Sequence, residues 1–245
     1  MLLCTKFEEE PYQTEIHNSD VDVVLLAAPP AFRPMHLEAA VNAKKHIFCE
    51  KPFAVDAPGL RRVMEAAKKA KANNLSLVSG FCWRYHQPKR DTFGRVLNGQ
   101  IGNILGGEAT YDTGELWFKE RQRGWSDMEY KLRNWLYYSW LSGDHLVEQA
   151  IHSIDMFSWA MGDKAPLRIS GTGGRQKRTD PKFGNVFDHF GLTYEYDNGT
   201  KIYFFCRQQN NTTPSYAVEL IGEDGRCYVD CRTGEHKITG KNAWN

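Results

Sequence analysis

The order of apolar runs predicts two architectures in one chain: half of a doubly wound parallel α/β sheet at 1–87, then an α+β domain at 88–245 with a largely antiparallel sheet. Three observations point this way. Val21–Ala28 is a near-continuous apolar run with β-branched residues, as in strands buried on both faces. Two more runs, at 46–50 and 75–80, alternate with helical segments, and such alternation implies parallel strands. Beyond Pro88 the runs alternate apolar with polar residues, and Asp197-Asn198-Gly199-Thr200 is a hairpin signal between two of them.

Each element has a local reason. Pro29 and Pro30 stop the first strand, and the stretch 34–45 reads as a helix with Leu37, Ala40 and Val41 on one side. His46–Cys49 is the second strand. Asp56 opens a helix that runs to about Asn73, with Pro58 suited to its first turn. Leu75–Phe81 is the third strand, closing a β-α-β-α-β unit. A helix over 89–98 then leads through Gly99 and Gly102 into a strand at 107–113, followed by an aromatic and charged stretch, Glu115–Tyr138. A single strong helix is expected over 144–161, ending at Gly162. Strands follow at 167–172, 187–196, 201–208, 216–222 and 226–231. No internal repeat or low-complexity tract interrupts the order.

Composition narrows the function classes. With 41% hydrophobic and 25% charged residues, the chain is an ordinary globular one, and a formal charge of +1 gives no reason to expect nucleic acid or a membrane surface as partner. No apolar run reaches the roughly 18 residues needed to span a bilayer. The six cysteines are scattered without a C-x-x-C pair, and four lie in or beside strand-like runs, which favours buried thiols in a reducing compartment. Met1–Cys4 lacks the basic start and long apolar segment of a leader, so the chain as given reads as cytoplasmic; a leader on a longer parent chain stays open.

Two polar clusters bear chemistry. Glu50-Lys51-Pro52 falls at the carboxyl end of a buried strand, where open α/β sheets bind ligands, and Pro52 stiffens the turn that presents Lys51. The bland alternative is a strand-ending ion pair followed by a turn proline. The second cluster is His145, Glu148, His152 and Asp155, spaced i, i+3, i+7 and i+10. On one continuous helix they fall within about an 80° sector. A solvated stripe would normally be rich in Lys and Glu, whereas this one holds two histidines and no lysine. The spacing is not the His-Glu-x-x-His of helical zinc sites, so no metal is expected. General acid–base chemistry is the better use of a histidine near neutral pH. Gly171–Gly174 reads as a loop rather than a phosphate-binding turn, since no helix follows it.

Together the stretches Asp20–Pro30, Ala43–Asp56, Val78–Phe81 with Arg84-Tyr85, and Gly143–Asp155 resemble the Gfo/Idh/MocA family of sugar oxidoreductases; Gly173–Asp180 and Asn185–His189 resemble one branch of it. The resemblance implies a partial Rossmann-like dinucleotide-binding domain at 1–87 and a substrate and oligomerisation domain at 88–245. It implies NAD or NADP as cofactor and hydride transfer from a hydroxyl carbon of a sugar, cyclitol or glycoside. The family's lysine maps onto Lys51 and its helix histidine onto His152. Glu148 stands where the family commonly has Asp. Lys51 and His152 are expected across one cleft, with Lys51, Ala28, Pro29, Pro30 and Glu50 toward the cofactor, and Arg84, Tyr85, His145 and Asp155 toward the substrate. A homo-oligomer through the antiparallel sheet is the expected assembly. The first strand, the G-x-G-x-x-G turn and the acidic residue of such a cofactor site are not in the sequence, and the chain stops at Asn245 soon after a strand, so a chain truncated at both ends is the expectation. Two further readings of the same likeness are a non-catalytic sugar-binding or assembly protein and an NAD-dependent glycosidase that oxidises its substrate transiently.

Overall fold

The computed structural model describes residues 16, 17 and 20–245; Cys4 and the Met1–Cys4 start lie outside the described residues. The chain divides into two compact units. One runs up to Gly80 and includes Glu120–Glu148; the other comprises Phe81–Lys119 and Gln149–Asn245. The chain thus leaves the first unit at Phe81 and returns to it for Glu120–Glu148, where a single boundary after residue 87 is the expectation from sequence. The reason is tertiary: the helical turn Ser139–Ser142 packs on the turn Pro30–Phe32.

In the first unit, β1 (Val23–Leu26), β2 (His46–Cys49) and β3 (Leu77–Ser79) form a parallel sheet in the order β1-β2-β3, with Val24 opposite Ile47 and Ile47 opposite Leu77. Helices α1 (Arg33–Asn42) and α2 (Ala57–Ala72) connect them. The side chain of Asp56 accepts from the Gly59 amide at 2.7 Å and caps α2, Pro58 fills the first turn, and Lys69 and Lys71 occupy the last. Val63, Ala66 and Ala70, at helical spacing, turn inward onto Leu37, Ala40, Val41, Ile47 and Cys49. Fully burying a side chain such as Leu37 or Ile47 stabilises by about 1.5–3 kcal/mol. The Lys51–Pro52 peptide is cis. The returning segment adds α4 (Asp127–Arg133), capped by Ser126 from the Glu129 amide at 3.1 Å, the turn Trp135–Tyr137, α5 (Ser139–Ser142) and α6 (Asp144–Glu148). The intervening helix, α3 (Gln87–Leu97), belongs to the second unit.

The second unit is a seven-stranded sheet in the order β10-β9-β8-β4-β7-β6-β5. Its strands are β4 (Ile104–Thr113), β5 (Arg168–Gly174), β6 (His189–Glu195), β7 (Lys201–Gln208), β8 (Ala217–Gly222), β9 (Gly225–Asp230) and β10 (Glu235–Gly240). All neighbours are antiparallel except β4 and β7. Helices α3 and α7 (Ile151–Ala160) cover one face, where Phe157 meets Tyr194 and Phe204 and Phe93 meets Trp159.

Three expectations are corrected. Gly171–Gly174 is strand, not loop: Cβ atoms at Gly171 and Gly173 would lie 2.2 Å from the Gly191 oxygen and 2.6 Å from the Phe190 ring, so glycine is what lets β5 approach β6. Strand β10 is an element that the apolar pattern does not mark, because its only deeply buried apolar residue is Ile238. The single helix over 144–161 is two, α6 and α7, separated at Gln149 and Ala150. His152 donates its amide to Gln149 O at 3.2 Å, a bond to i−3 rather than i−4, so the four polar residues do not form one continuous helical stripe.

Candidate active site

Lys51 is placed by the end of β2 and held by α6. Its Nζ donates to Glu148 Oε1 at 2.8 Å and also to the main-chain oxygen of Glu148. The two side chains are only 15% and 11% exposed, so the ion pair is shielded from most solvent screening. Glu50 lies over Gly80, where a Cβ would come within 2.5 Å of its Oε2. The Ala28 and Glu50 carbonyls both accept from the guanidinium of Arg33, a residue in the first turn of α1 that is 3% exposed. Pro30 is buried and Pro29 precedes it in an extended conformation. His145 is buried in α6, and its amide donates to Asp144 Oδ1 at 2.6 Å.

In the second unit, His152 sits near the start of α7 among aromatic rings. Trp83 is 4.9 Å away between centroids and tilted by 40°, Tyr111 stacks at 6.3 Å, and Phe81 meets it edge-on at 6.3 Å. Tyr111 packs in turn on Tyr216, whose hydroxyl donates to Thr113 Oγ1 at 2.9 Å. The Ser153 hydroxyl donates to Thr110 O at 2.8 Å and pins this turn of α7 to β4.

Arg84 and Asp155 also lie in this unit, and they serve each other. Arg84 Nε donates to both Asp155 oxygens at 3.0 and 2.9 Å, its Nη atoms donate to Asp163 at 3.0 and 2.6 Å, and its plane lies over Trp159. The Arg84 bond holds the Asp163 carboxyl below its ordinary pKa, whereas burial pushes Asp155 up in spite of Arg84. Held by two carboxylates, Arg84 acts as a clamp between the 3-10 turn Cys82–Tyr85 and α7. Tyr85 is 60% exposed. Sequence reading missed Arg33 and Tyr111. Tyr111 alternates with Ala109 on β4 and so shares its helix-covered face; nothing local marks Arg33.

Comparisons with known proteins identify both parts of the chain. Residues 4–77 match the oxidoreductase family NAD-binding Rossmann fold, and 94–228 match the GFO/IDH/MocA C-terminal domain. The chain is 26% identical over 223 residues to 2,7-anhydro-N-acetylneuraminate hydratase of Escherichia coli (strain K12), covering 90% of this chain and 55% of that protein. It is 28% identical over 221 residues to inositol 2-dehydrogenase 3 of Saccharopolyspora erythraea, covering 89% and 58%. It therefore spans about half the length of the curated relatives it matches. Among solved structures, an oxidoreductase domain protein from Kribbella flavida superposes with a TM-score of 0.78 at 21% identity, covering 94% of this chain and 60% of that one. Levoglucosan dehydrogenase in complex with NADH and L-sorbose gives 0.76 at 21% identity, again covering 94% and 60%. These two likenesses establish the fold, and the matched domains establish the lineage: the chain belongs to the GFO/IDH/MocA oxidoreductase family.

Proposed function

We propose that the protein is an NAD(P)-dependent oxidoreductase acting on a hydroxyl of a sugar, cyclitol or glycoside. The observation that carries this is Lys51, set at the carboxyl end of a parallel strand and paired with Glu148 at 2.8 Å. In this reading the Lys51 ammonium donates to the reacting hydroxyl oxygen and stabilises negative charge as it forms there. His152 takes the hydroxyl proton as general base, and Glu148 keeps Lys51 aimed. Arg84, Tyr85, His145 and Asp155 are proposed to face the sugar, with Arg84 and Asp155 acting as one clamped unit.

The residues present fit the nicotinamide end of the cofactor: Ala28, Pro29 and Pro30 form a stiff turn after β1, and Glu50 and Lys51 flank the end of β2. Among the described residues no loop after β1, β2 or β3 holds a glycine at positive φ, so these loops do not build the pyrophosphate turn. When bound, the nicotinamide supplies the hydride acceptor.

A second outcome is favoured by one relative. The similar Escherichia coli protein is named a hydratase, which supports a variant in which oxidation is transient and no reduced cofactor accumulates. Assembly is proposed as a homo-oligomer through the face of the seven-stranded sheet opposite α3 and α7, where Tyr203 and Phe205 are 48% and 51% exposed. Three described cysteines, Cys49, Cys206 and Cys227, are buried as small apolar side chains, which supports a cytoplasmic, reducing setting. Among the described residues no helix is long and apolar enough to cross a membrane.

The test is reduction of NAD or NADP by the protein over a panel of cyclitols, aldoses and glycosides, with K51A and H152A as controls expected to lose about 10²–10⁴ in rate. Cofactor binding without turnover on any member of the panel, by absorbance and by product analysis, would sink the proposal.

A further inference from the structure

Arg33 is a buried cation whose bonds go to main chain alone. Nη1 donates to Glu50 O at 2.6 Å and to Pro52 O at 2.7 Å, and Nη2 donates to Ala28 O. Among the described residues it has no ion-pair partner, although the Glu50 and Glu148 carboxylates act on it through space against the burial that lowers its pKa. A buried charge is costly unless its donors are satisfied, and the first turn of a helix does not call for one. Its placement is specific. One nitrogen bridges the carbonyls of the residues immediately before and after Lys51, and the other end of the fork fixes them to the turn that ends β1. A planar guanidinium can hold three carbonyls in this way; an ammonium on a shorter stem cannot present the same fork.

We infer that Arg33 is a positioning residue for Lys51: by pinning the carbonyls on either side of it, Arg33 sets the direction in which the Lys51 side chain leaves the strand end and so keeps Nζ on Glu148. The inference rests on the reading of Lys51 as the group that meets the reacting hydroxyl, but it is tested without turnover. Lys51 is 15% exposed at its side chain and Lys68, its internal reference in the same unit, is 69% exposed.

Acetylation of each lysine by an activated ester, followed by peptide mass spectrometry, gives the ratio of Lys51 to Lys68 rates in wild type, R33Q and R33K. The ratio is expected to rise at least about fivefold in R33Q, and less in R33K, because Lys51 is released from Glu148. If R33Q does not fold, R33K carries the comparison, and a rise there supports the inference. An unchanged ratio in the folded variants overturns it, as does a lowered unfolding midpoint without a change in ratio. Turnover assayed in parallel separates the two readings: a ratio that responds in a protein without oxidoreductase activity leaves Arg33 in its role and removes the proposed reaction.

Discussion

Lys51 grips Glu148 twice, through the carboxylate at 2.8 Å and through the main-chain carbonyl of the same residue. In a continuous helix that carbonyl would accept the amide of His152, four residues on. Instead His152 donates to Gln149 O. The interruption between α6 and α7 and the reach of the lysine therefore belong to one arrangement. The carbonyl freed by the helix break is the one the lysine uses.

Replacing Glu148 tests that arrangement. E148Q keeps the shape and removes the counter-ion; the rate is expected to fall about tenfold to a hundredfold, with a smaller fall for E148D. E148A leaves Lys51 only the carbonyl, and stability should drop by about 1–3 kcal/mol. Steady-state kinetics and urea unfolding read these separately. Wild-type behaviour in both would show that the pair is incidental.

The rings around His152 make a second prediction. W83A removes the nearest of them, centred 4.9 Å away, and the imidazole gains freedom. A fall in kcat of about tenfold is expected with KM little changed, and W83F should recover most of it. Equal kcat in W83A and wild type would mean that α7, Tyr111 and Phe81 suffice to fix the histidine.

Asp163 predicts an acid response. Its bond to Arg84 depresses its pKa in the folded state, so its contribution to stability is present above the unfolded value near 3.9 and is lost as pH falls through the lower folded value. The side chain is 57% exposed, which keeps the effect small. Stability measured from about pH 5 down to pH 3 should fall less steeply in D163N than in wild type. Parallel curves would rule the linkage out.

The cap of α2 gives a prediction independent of function. D56A deletes the acceptor that meets the Gly59 amide at 2.7 Å, with an expected loss of about 0.5–2 kcal/mol in unfolding free energy. D56N should retain most of it, and a loss of equal size in both variants would assign the effect to charge rather than to the cap.

What the sequence made legible was whatever depends on neighbours along the chain. The cap at Asp56, the Asp197–Thr200 turn and the alternation in β7 all appear where local chemistry puts them. What it hid depends on residues far apart. The break after Glu148 answers to Lys51, 97 positions away. Arg33 carries no local signal, and its role depends on the distant carbonyls of Glu50 and Pro52 together with that of Ala28. The second carboxylate on Arg84, Asp163, lies 79 positions away and has no local signal. Strand β10 hides because it is a sheet edge, where one buried isoleucine suffices.

The position of β4 has a kinetic consequence. Strands β5, β6 and β7 pair in chain order, as do β8, β9 and β10, so each trio assembles from hairpins. β4 precedes them all, yet it lies between the trios, parallel to β7 and antiparallel to β8. Until it arrives, β7 and β8 each present an open row of amides and carbonyls. Joining β4 to β7 requires closure of a long loop, the kind of contact that slows folding. A Cβ on Gly107 of β4 would lie 2.4 Å from Glu219 O, so a side chain there would obstruct the pairing of β4 with β8. The seven-stranded sheet is thus two meanders joined by one keystone, and for as long as β4 is out of place their inner edges are open to other chains.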